Sequence, residues 1–289
     1  MRYEESTFAW HEADGAGGPV DVSDLTRLRL EADRGVVTVT LDRPAARNAI
    51  DGPMLGELTR VLHHCDRSDD VRVVVITGAG PVFCAGSEMS GDGFGGAPGG
   101  DEDRGLPWLA PFQLRKPVIA AVNGHAVGAG LTLALQCDIR VVAVDAVLAF
   151  PFVRLGVVAE WMGHWTAVRH LGPARAAELL LTGRRFSGGD AATWGLANHA
   201  PPAGGVLSTA VSIAREIADH AAPVAVAVSK RLIWEANDAD QHTAGATERR
   251  LLEALLAAPD AAEGVAAYLE KRAPRWVGRV GGDLPPWPA

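Results

Sequence analysis

Two short segments near the start of the chain are rich in β-branched and apolar residues and predict strands. They are Thr26–Ala32 (TRLRLEA) and Gly35–Leu41 (GVVTVTL), and the turn residues Asp33 to Gly35 join them. Because so short a turn connects antiparallel neighbours, the pair predicts a β-hairpin.

Other apolar runs are continuous rather than alternating. Val71–Thr77 (VRVVVIT) and Pro117–Val122 (PVIAAV) are the clearest, and shorter runs occupy Ile139–Val144 and Val147–Phe150. Continuous runs are typical of strands that are buried on both faces, as in a parallel sheet covered by helices. The first half of the chain therefore predicts an α/β fold.

Helical patterns fill most of the rest. Asp51 is a candidate N-cap for a helix from about Pro53 to Cys65. The later predicted helices are 164–171, 173–182, 188–194, 204–221, 223–236, 241–257 and 259–271. We expect three regions: a mobile arm over 1–24, a core over 25–200 and a helical C-terminal region over 201–289. The glycine- and acid-rich segment 90–105 predicts a flexible loop, either a wall of the site or a surface loop.

Composition narrows the classes of function. The chain has 289 residues, a net charge of −8 and only three cysteines: Cys65, Cys84 and Cys137. No basic stripe is present, so nucleic acid is not an expected partner. The cysteines are too few and too scattered for a disulfide framework or a zinc site, which favours a reducing, cytoplasmic location. No apolar run reaches about 18 residues, so no membrane span is expected.

Two glycine-containing turns follow buried strands and could carry chemistry. The first is Val82–Met89 (VFCAGSEM), and the second is Asn123–Thr132 (NGHAVGAGLT). Turns of this kind at a helix start expose backbone N–H groups, and two of them face to face could hold a developing oxyanion. Each turn alone is more simply a tight β-to-α connection. Neither has the spacing of a phosphate-binding or dinucleotide-binding loop.

A single carboxylate interrupts an otherwise apolar stretch. Glu160 lies in Phe150–Gly163 (FPFVRLGVVAEWMG). A carboxylate in such surroundings usually neutralises, finds a partner or serves a function. Two interpretations stay open: Glu160 is an acid near the start of the helix that begins at about His164, or it is a catalytic group.

Several motifs, taken in order, resemble the crotonase, or enoyl-CoA hydratase/isomerase, superfamily. The matching segments are Leu41–Ile50 (LDRPAARNAI), Phe83–Glu88 (FCAGSE), Lys116–Gly124 (KPVIAAVNG), Gly128–Gly130 (GAG), Cys137–Arg140 (CDIR) and Glu263–Arg272 (EGVAAYLEKR). The resemblance implies a spiral of ββα turns, a homotrimer or dimer of trimers formed through the C-terminal helices, and an acyl-CoA thioester substrate. It implies no metal and no cofactor, since coenzyme A arrives as part of the substrate.

The resemblance also implies an oxyanion hole made by the backbone N–H groups of Ser87 and Ala129. Family hydratases add two glutamates to this hole, and neither is present here. Thr132 and Phe152 stand at the matching positions, and neither side chain is a general base near neutral pH. An ordinary hydratase mechanism is therefore not expected.

Glu160 is similar in register to the glutamate of the Δ3,Δ2-enoyl-CoA isomerase branch. We therefore expect Δ3-to-Δ2 isomerisation with Glu160 as the acid and base. The alternatives are an atypical hydratase, a hydrolase, or a non-catalytic acyl-CoA binding protein. The expected substrate-binding residues are Arg47, Ala85, Thr132, Phe152, Trp161, Lys271 and Arg272. Among them, Arg47, Lys271 and Arg272 are candidates for the CoA phosphates.

Overall fold

A computed structural model describes residues 22–90, 93–94 and 106–288. The strands are β1 Leu28–Asp33, β2 Val36–Leu41, β3 Val73–Gly78, β4 Val82–Cys84, β5 Met89–Ser90, β6 Gly93–Phe94, β7 Val118–Val122, β8 His125–Val127, β9 Ile139–Val142, β10 Val147–Ala149 and β11 Arg185–Ser187. The helices are α1 Gly52–Arg67, α2 Ala129–Leu135, α3 Gly163–Thr182, α4 Gly188–Thr193, α5 Val206–His220, α6 Pro223–Glu235, α7 Gln241–Leu256 and α8 Pro259–Glu270. The predicted arm and most of the predicted 90–105 loop lie outside the described residues.

Two sheets form the core. The larger has the order β1-β2-β3-β7-β9, and the smaller has the order β11-β10-β8-β4. The predicted hairpin is confirmed, since β1 and β2 are antiparallel, whereas β2, β3, β7 and β9 are parallel neighbours. The two continuous apolar runs became β3 and β7, which are buried along their whole length.

The chain alternates between the sheets. It runs from β3 to β4, then from β7 to β8 and α2, and then from β9 to β10 and α3, so that each turn adds a strand to both sheets and the second and third turns each end in a helix. This is the ββα spiral that the resemblance implied. The segment predicted as one turn, 123–130, in fact contains β8, a strand too short for a periodic signal.

The later part of the chain is helical apart from β11, which the sequence pattern missed. The break predicted between the helices at 164–171 and 173–182 is confirmed, because Gly172 within α3 has non-helical torsions (φ 71°, ψ 165°) and divides it into two helices. Helix α5 presents a buried face of small residues, including Ala210, Ala214 and Ala218, at four-residue spacing. This face packs on β2, β3, β7 and β9, so α5 covers the larger sheet.

The first helix begins as predicted. Asp51 is its N-cap and accepts a hydrogen bond from the Met54 N–H at 2.8 Å. The same carboxylate is nearly buried and forms ion pairs with Arg27 at 3.1 Å and Arg43 at 3.2 Å. One residue therefore satisfies a helix end and two guanidinium groups.

We predict that Asp51→Ala lowers the free energy of unfolding by about 2 kcal/mol, at the upper end of the range for lost N-caps, because the two cations also lose their partner. Asp240→Ala is the matched control, since Asp240 caps α7 at an exposed site. It should cost about 1 kcal/mol or less. Urea denaturation measures both values, and equal losses would contradict the predicted difference.

Candidate active site

The first predicted oxyanion turn follows β4. The Ile50 N–H donates to Gly86 O and the Glu88 N–H donates to Ile50 O, both at 2.8 Å. These two bonds flank Ser87, which pairs with Ile50 in a parallel bridge. Because successive backbone groups of an extended chain point to opposite sides, the Ser87 N–H points away from Ile50.

The second turn lies directly against the first. A Cβ placed on Gly86 would lie 3.0 Å from Val127 O and 3.8 Å from the Ala129 nitrogen. Gly86 also has a φ of 109°, so both the close approach and the torsion require glycine. Ala129 is the first residue of α2, where a backbone N–H has no intrahelical acceptor. Within the described residues, neither the Ser87 nor the Ala129 N–H has a hydrogen-bond acceptor.

Arg43 and Asn48 hold the first turn in place. Arg43 donates to Ala49 O at 2.6 Å and to Glu88 Oε1 at 3.1 Å. Asn48 is fully buried, and its amide donates to Ala79 O and Val82 O at 2.9 and 2.7 Å. The sequence analysis assigned neither residue a role, although both lie in the Leu41–Ile50 motif that carried the family resemblance.

Glu160 carries an unusual carboxyl group. Its Oε1 is buried and has no hydrogen-bond partner in the described part of the chain. Burial raises the pKa of Glu160 above its ordinary value. The carboxylate also adds to the effect of burial on the nearby Cys84 thiol, whose pKa is raised to about 12. Cys84 is the last residue of β4, so Glu160 lies beside the first turn.

Helix α2 connects Glu160 to the second turn. Thr132 on α2 is fully buried and donates its hydroxyl to Ala129 O at 3.0 Å. Its methyl group packs on Gly163, where a Cβ would come within 2.7 Å of it. The Gly163 N–H in turn donates to Glu160 O at 3.0 Å. The backbone of Glu160 and the N–H of Ala129 are thus positioned by the same helix.

The interpretation of Glu160 as an acid that caps the start of α3 does not fit this geometry. Helix α3 begins at Gly163, and its N-cap is Met162, so Glu160 lies outside the capping position. The helix N-terminus has no side-chain cap hydrogen bond. A capping carboxylate accepts a hydrogen bond from the first N–H groups of the helix, and the buried Oε1 of Glu160 accepts none among the described residues.

Aromatic side chains lie next to Glu160 in the sequence and next to the second turn in the structure. Trp161 stacks on Trp108, with ring centroids 4.9 Å apart and planes inclined by 9°. The Phe152 ring is buried and lies 3.8 Å from the point that a Cβ on Gly128 would occupy. Phe152 therefore fills apolar space next to the second turn, at the position where the resemblance places a hydratase glutamate.

The remaining predicted substrate-binding residues are spread more widely. Ala85 is half-buried, and its N–H donates to the carbonyl of exposed Arg47 at 3.0 Å. Lys271 is exposed at the end of α8. Arg272 donates to both carboxylate oxygens of Glu263, at 2.6 and 2.9 Å. A phosphate would have to compete with this carboxylate for Arg272.

Neither a membrane-spanning helix nor a metal-binding group of side chains occurs among the described residues. None of the helices in the described ranges is long and apolar enough to cross a membrane. The same ranges contain no group of three or more His, Cys, Asp and Glu side chains that could hold a metal ion.

Comparisons with known proteins agree with this architecture. The family model described as enoyl-CoA hydratase/isomerase matches residues 31–279. An enoyl-CoA hydratase of Alternaria alternata is 34% identical over 281 residues, which span 95% of this chain and 90% of the relative. A carnitinyl-CoA dehydratase of Proteus mirabilis is 36% identical over 261 residues, which span 87% of this chain and 98% of the relative.

Solved structures extend the likeness to three dimensions. A probable enoyl-CoA hydratase/isomerase from Mycobacterium abscessus is 41% identical, with a TM-score of 0.80 over 89% of this chain and 100% of that one. An enoyl-CoA hydratase from Mycobacterium tuberculosis is 31% identical, with a TM-score of 0.80 over 87% of this chain and 99% of that one. With its spiral of paired strands and its two facing turns, the chain belongs to the enoyl-CoA hydratase/isomerase family, the crotonase superfamily.

Proposed function

We propose that this enzyme moves a proton along an unsaturated acyl-CoA and converts a Δ3-enoyl thioester into its Δ2 isomer. The observation that carries the proposal is the Glu160 carboxyl, whose Oε1 is buried and has no partner among the described residues. Thr132 and Phe152 occupy the positions of the two hydratase glutamates, so Glu160 is the acid–base group that remains for the reaction.

The chemistry follows from the geometry. The thioester carbonyl oxygen would accept hydrogen bonds from the Ser87 and Ala129 N–H groups. Glu160 would then remove a proton from C2, and the electron pair of that C–H bond would delocalise over the carbonyl and the C3=C4 double bond. Fixed donors stabilise the resulting dienolate oxygen. The protonated Glu160 would return the proton to C4, which leaves the double bond between C2 and C3.

The environment of Glu160 suits both steps. The base form is needed to take the first proton, and the acid form is needed to return it. A carboxyl with an ordinary pKa is a poor proton donor near neutral pH, so burial that raises the pKa assists the second step. Trp161, which directly follows Glu160, stacks on Trp108, and we propose that this pair contributes to the apolar environment.

A second candidate is addition of water to a 2-enoyl-CoA. The names of several relatives favour it, including a probable enoyl-CoA hydratase of Mycobacterium tuberculosis and a 2,3-dehydroadipyl-CoA hydratase of Escherichia coli. In that case Glu160 would position the water without a second carboxylate. Hydrolysis of the thioester and non-catalytic binding of acyl-CoA are the further alternatives.

The remaining expectations extend the same proposal. Coenzyme A would enter only as part of the substrate, with Arg47, Lys271 and Arg272 near its phosphates, and the enzyme would work in the cytoplasm. A homotrimer or dimer of trimers stays a prediction. It is supported by large apolar side chains that are exposed on α7 and α8: Leu252, Leu256, Val265, Tyr268 and Leu269.

Replacement of the proposed base tests the mechanism. We predict that the wild type conjugates a 3-enoyl-CoA and that Glu160→Gln lowers kcat by at least about 100-fold, because an amide neither takes nor returns the proton. The growth of thioester-conjugated absorbance measures the rate. Glu178→Gln is the control, since this exposed carboxylate on α3 pairs only with surface arginines; it should keep the wild-type rate.

The same assay separates the candidates. Full isomerase activity in Glu160→Gln would overturn the assignment of Glu160. If the wild type hydrates a 2-enoyl-CoA faster than it isomerises a 3-enoyl-CoA, the hydratase alternative holds instead. If it binds both thioesters without converting either, the chain is a binding protein.

The pH dependence supplies an independent test. Proton abstraction needs ionised Glu160, so kcat/KM for isomerisation should fall as the pH drops through the pKa of this group. Since burial raises that pKa, the midpoint of the acid limb should lie above 4.5, the ordinary value for a glutamate. A profile that stays flat down to pH 4.5 would contradict the raised pKa.

A further inference from the structure

We propose that Gln136 is a positioning residue that fixes Glu160 in its catalytic orientation, an inference that rests on the proposed function. Gln136 is the C-cap of α2 and is completely buried. Its side-chain amide donates to Trp161 O at 2.7 Å. This bond ties the residue directly after Glu160 to the helix that starts with the oxyanion donor Ala129.

The segment that Gln136 holds has a strained backbone. Trp161 and Met162 both adopt left-handed torsions, with φ of 51° and 57°. Such torsions are unfavourable for bulky residues and persist only where the surroundings impose them. The strained pair brings the chain from Glu160 into α3, so a relaxed backbone here would redirect the Glu160 side chain.

Helix α2 contacts the segment 161–163 at two points. Thr132 and Gln136 are four residues apart and therefore lie on the same face of the helix. Thr132 contacts Gly163 through its methyl group, and Gln136 binds Trp161 through its amide. The first contact is steric, whereas the second is a directed hydrogen bond to the strained residue itself.

The two polar atoms of the Gln136 amide differ in their surroundings. Its Oε1 is buried and has no donor within the described residues. The amide cannot be reversed, because its oxygen would then face the Trp161 carbonyl. An unsatisfied buried acceptor is costly, and this cost offsets the gain from the bond that is made. An apolar residue of equal length would therefore suit a purely structural site as well.

Gln136→Met tests this role, because methionine keeps the length and apolar stem but has no amide. We expect kcat for isomerisation to fall at least about tenfold, since small misplacements of a catalytic group are costly. The KM should stay nearly unchanged, because the N–H groups of the oxyanion hole are untouched. The thermal midpoint should stay within a few degrees of the wild type.

Gln113→Met is the matched control. The Gln113 amide also makes a side-chain-to-backbone bond, with Ala110 N at 3.0 Å, but in a different segment. It should leave kcat unchanged. If Gln136→Met retains the wild-type kcat, or if kcat and KM change together with the thermal midpoint, Gln136 is structural and the proposal fails.

A readout without turnover keeps the two proposals separate. Carbon-13 NMR of glutamate carboxyls, with Glu160→Gln to assign the signal, gives the pKa of Glu160 directly. Gln136→Met should lower this pKa towards the ordinary value, because a released side chain reaches solvent. An unchanged pKa overturns the positioning role even if the enzyme proves inactive as an isomerase. Full activity of Glu160→Gln, by contrast, overturns the catalytic role of Glu160, whereas the effect of Gln136 on the orientation and pKa of Glu160 would still stand.

Discussion

The close packing of α2 against two backbone segments is the constraint on which the site depends. At its start, a Cβ on Gly130 would come within 2.4 Å of Cys84 O, so the helix touches the end of β4. One turn later, Thr132 leaves no room for a side chain at Gly163. Contacts this close allow little displacement, because a packed interior transmits even small changes in volume. The Ala129 N–H and the Glu160 segment are therefore both held in place by α2.

This packing explains how the Glu160 carboxylate can be held in place although its Oε1 has no partner among the described residues. Ion pairs elsewhere in the molecule position charged groups directly, as Asp51 does for Arg27 and Arg43. Glu160 instead is positioned through the backbone, by the Gly163 N–H, which binds the Glu160 carbonyl, and by Gln136, which binds the carbonyl of Trp161. An ion-paired carboxylate would have a lowered pKa and would be a weak base. Orientation through the backbone leaves the carboxyl free to exchange protons.

Much of the fold followed from the sequence because local signals were strong. Buried runs gave β3 and β7, and Asp51 marked the start of α1 as predicted. The short strands β4, β8 and β11 have three residues each and depend on neighbours that the sequence does not reveal. The facing turns were predicted as a pair. Their separation depends on the close contact of Gly86 with Val127, which is a tertiary contact that the sequence does not reveal.

The site was predicted only in part, for the same reason. Glu160 was identified as a single carboxylate in an apolar stretch. The structure adds that its Oε1 is buried and has no partner among the described residues. The roles of Asn48 and Arg43 were missed because their partners, such as Val82 and Glu88, lie more than thirty residues away along the chain. Gln136 gave no local signal either. A polar residue at a helix end is ordinary until its contact with Trp161 is seen.

The most direct test of the account is the exchange of the C2 hydrogens of a 3-enoyl-CoA with deuterium oxide, followed by proton NMR. This exchange reports formation of the dienolate, whichever product is released. The account predicts that the wild type catalyses it and that Glu160→Gln does not, although the variant still binds the thioester through Ser87 and Ala129. Exchange in Glu160→Gln at the wild-type rate would contradict the claim that Glu160 is the base.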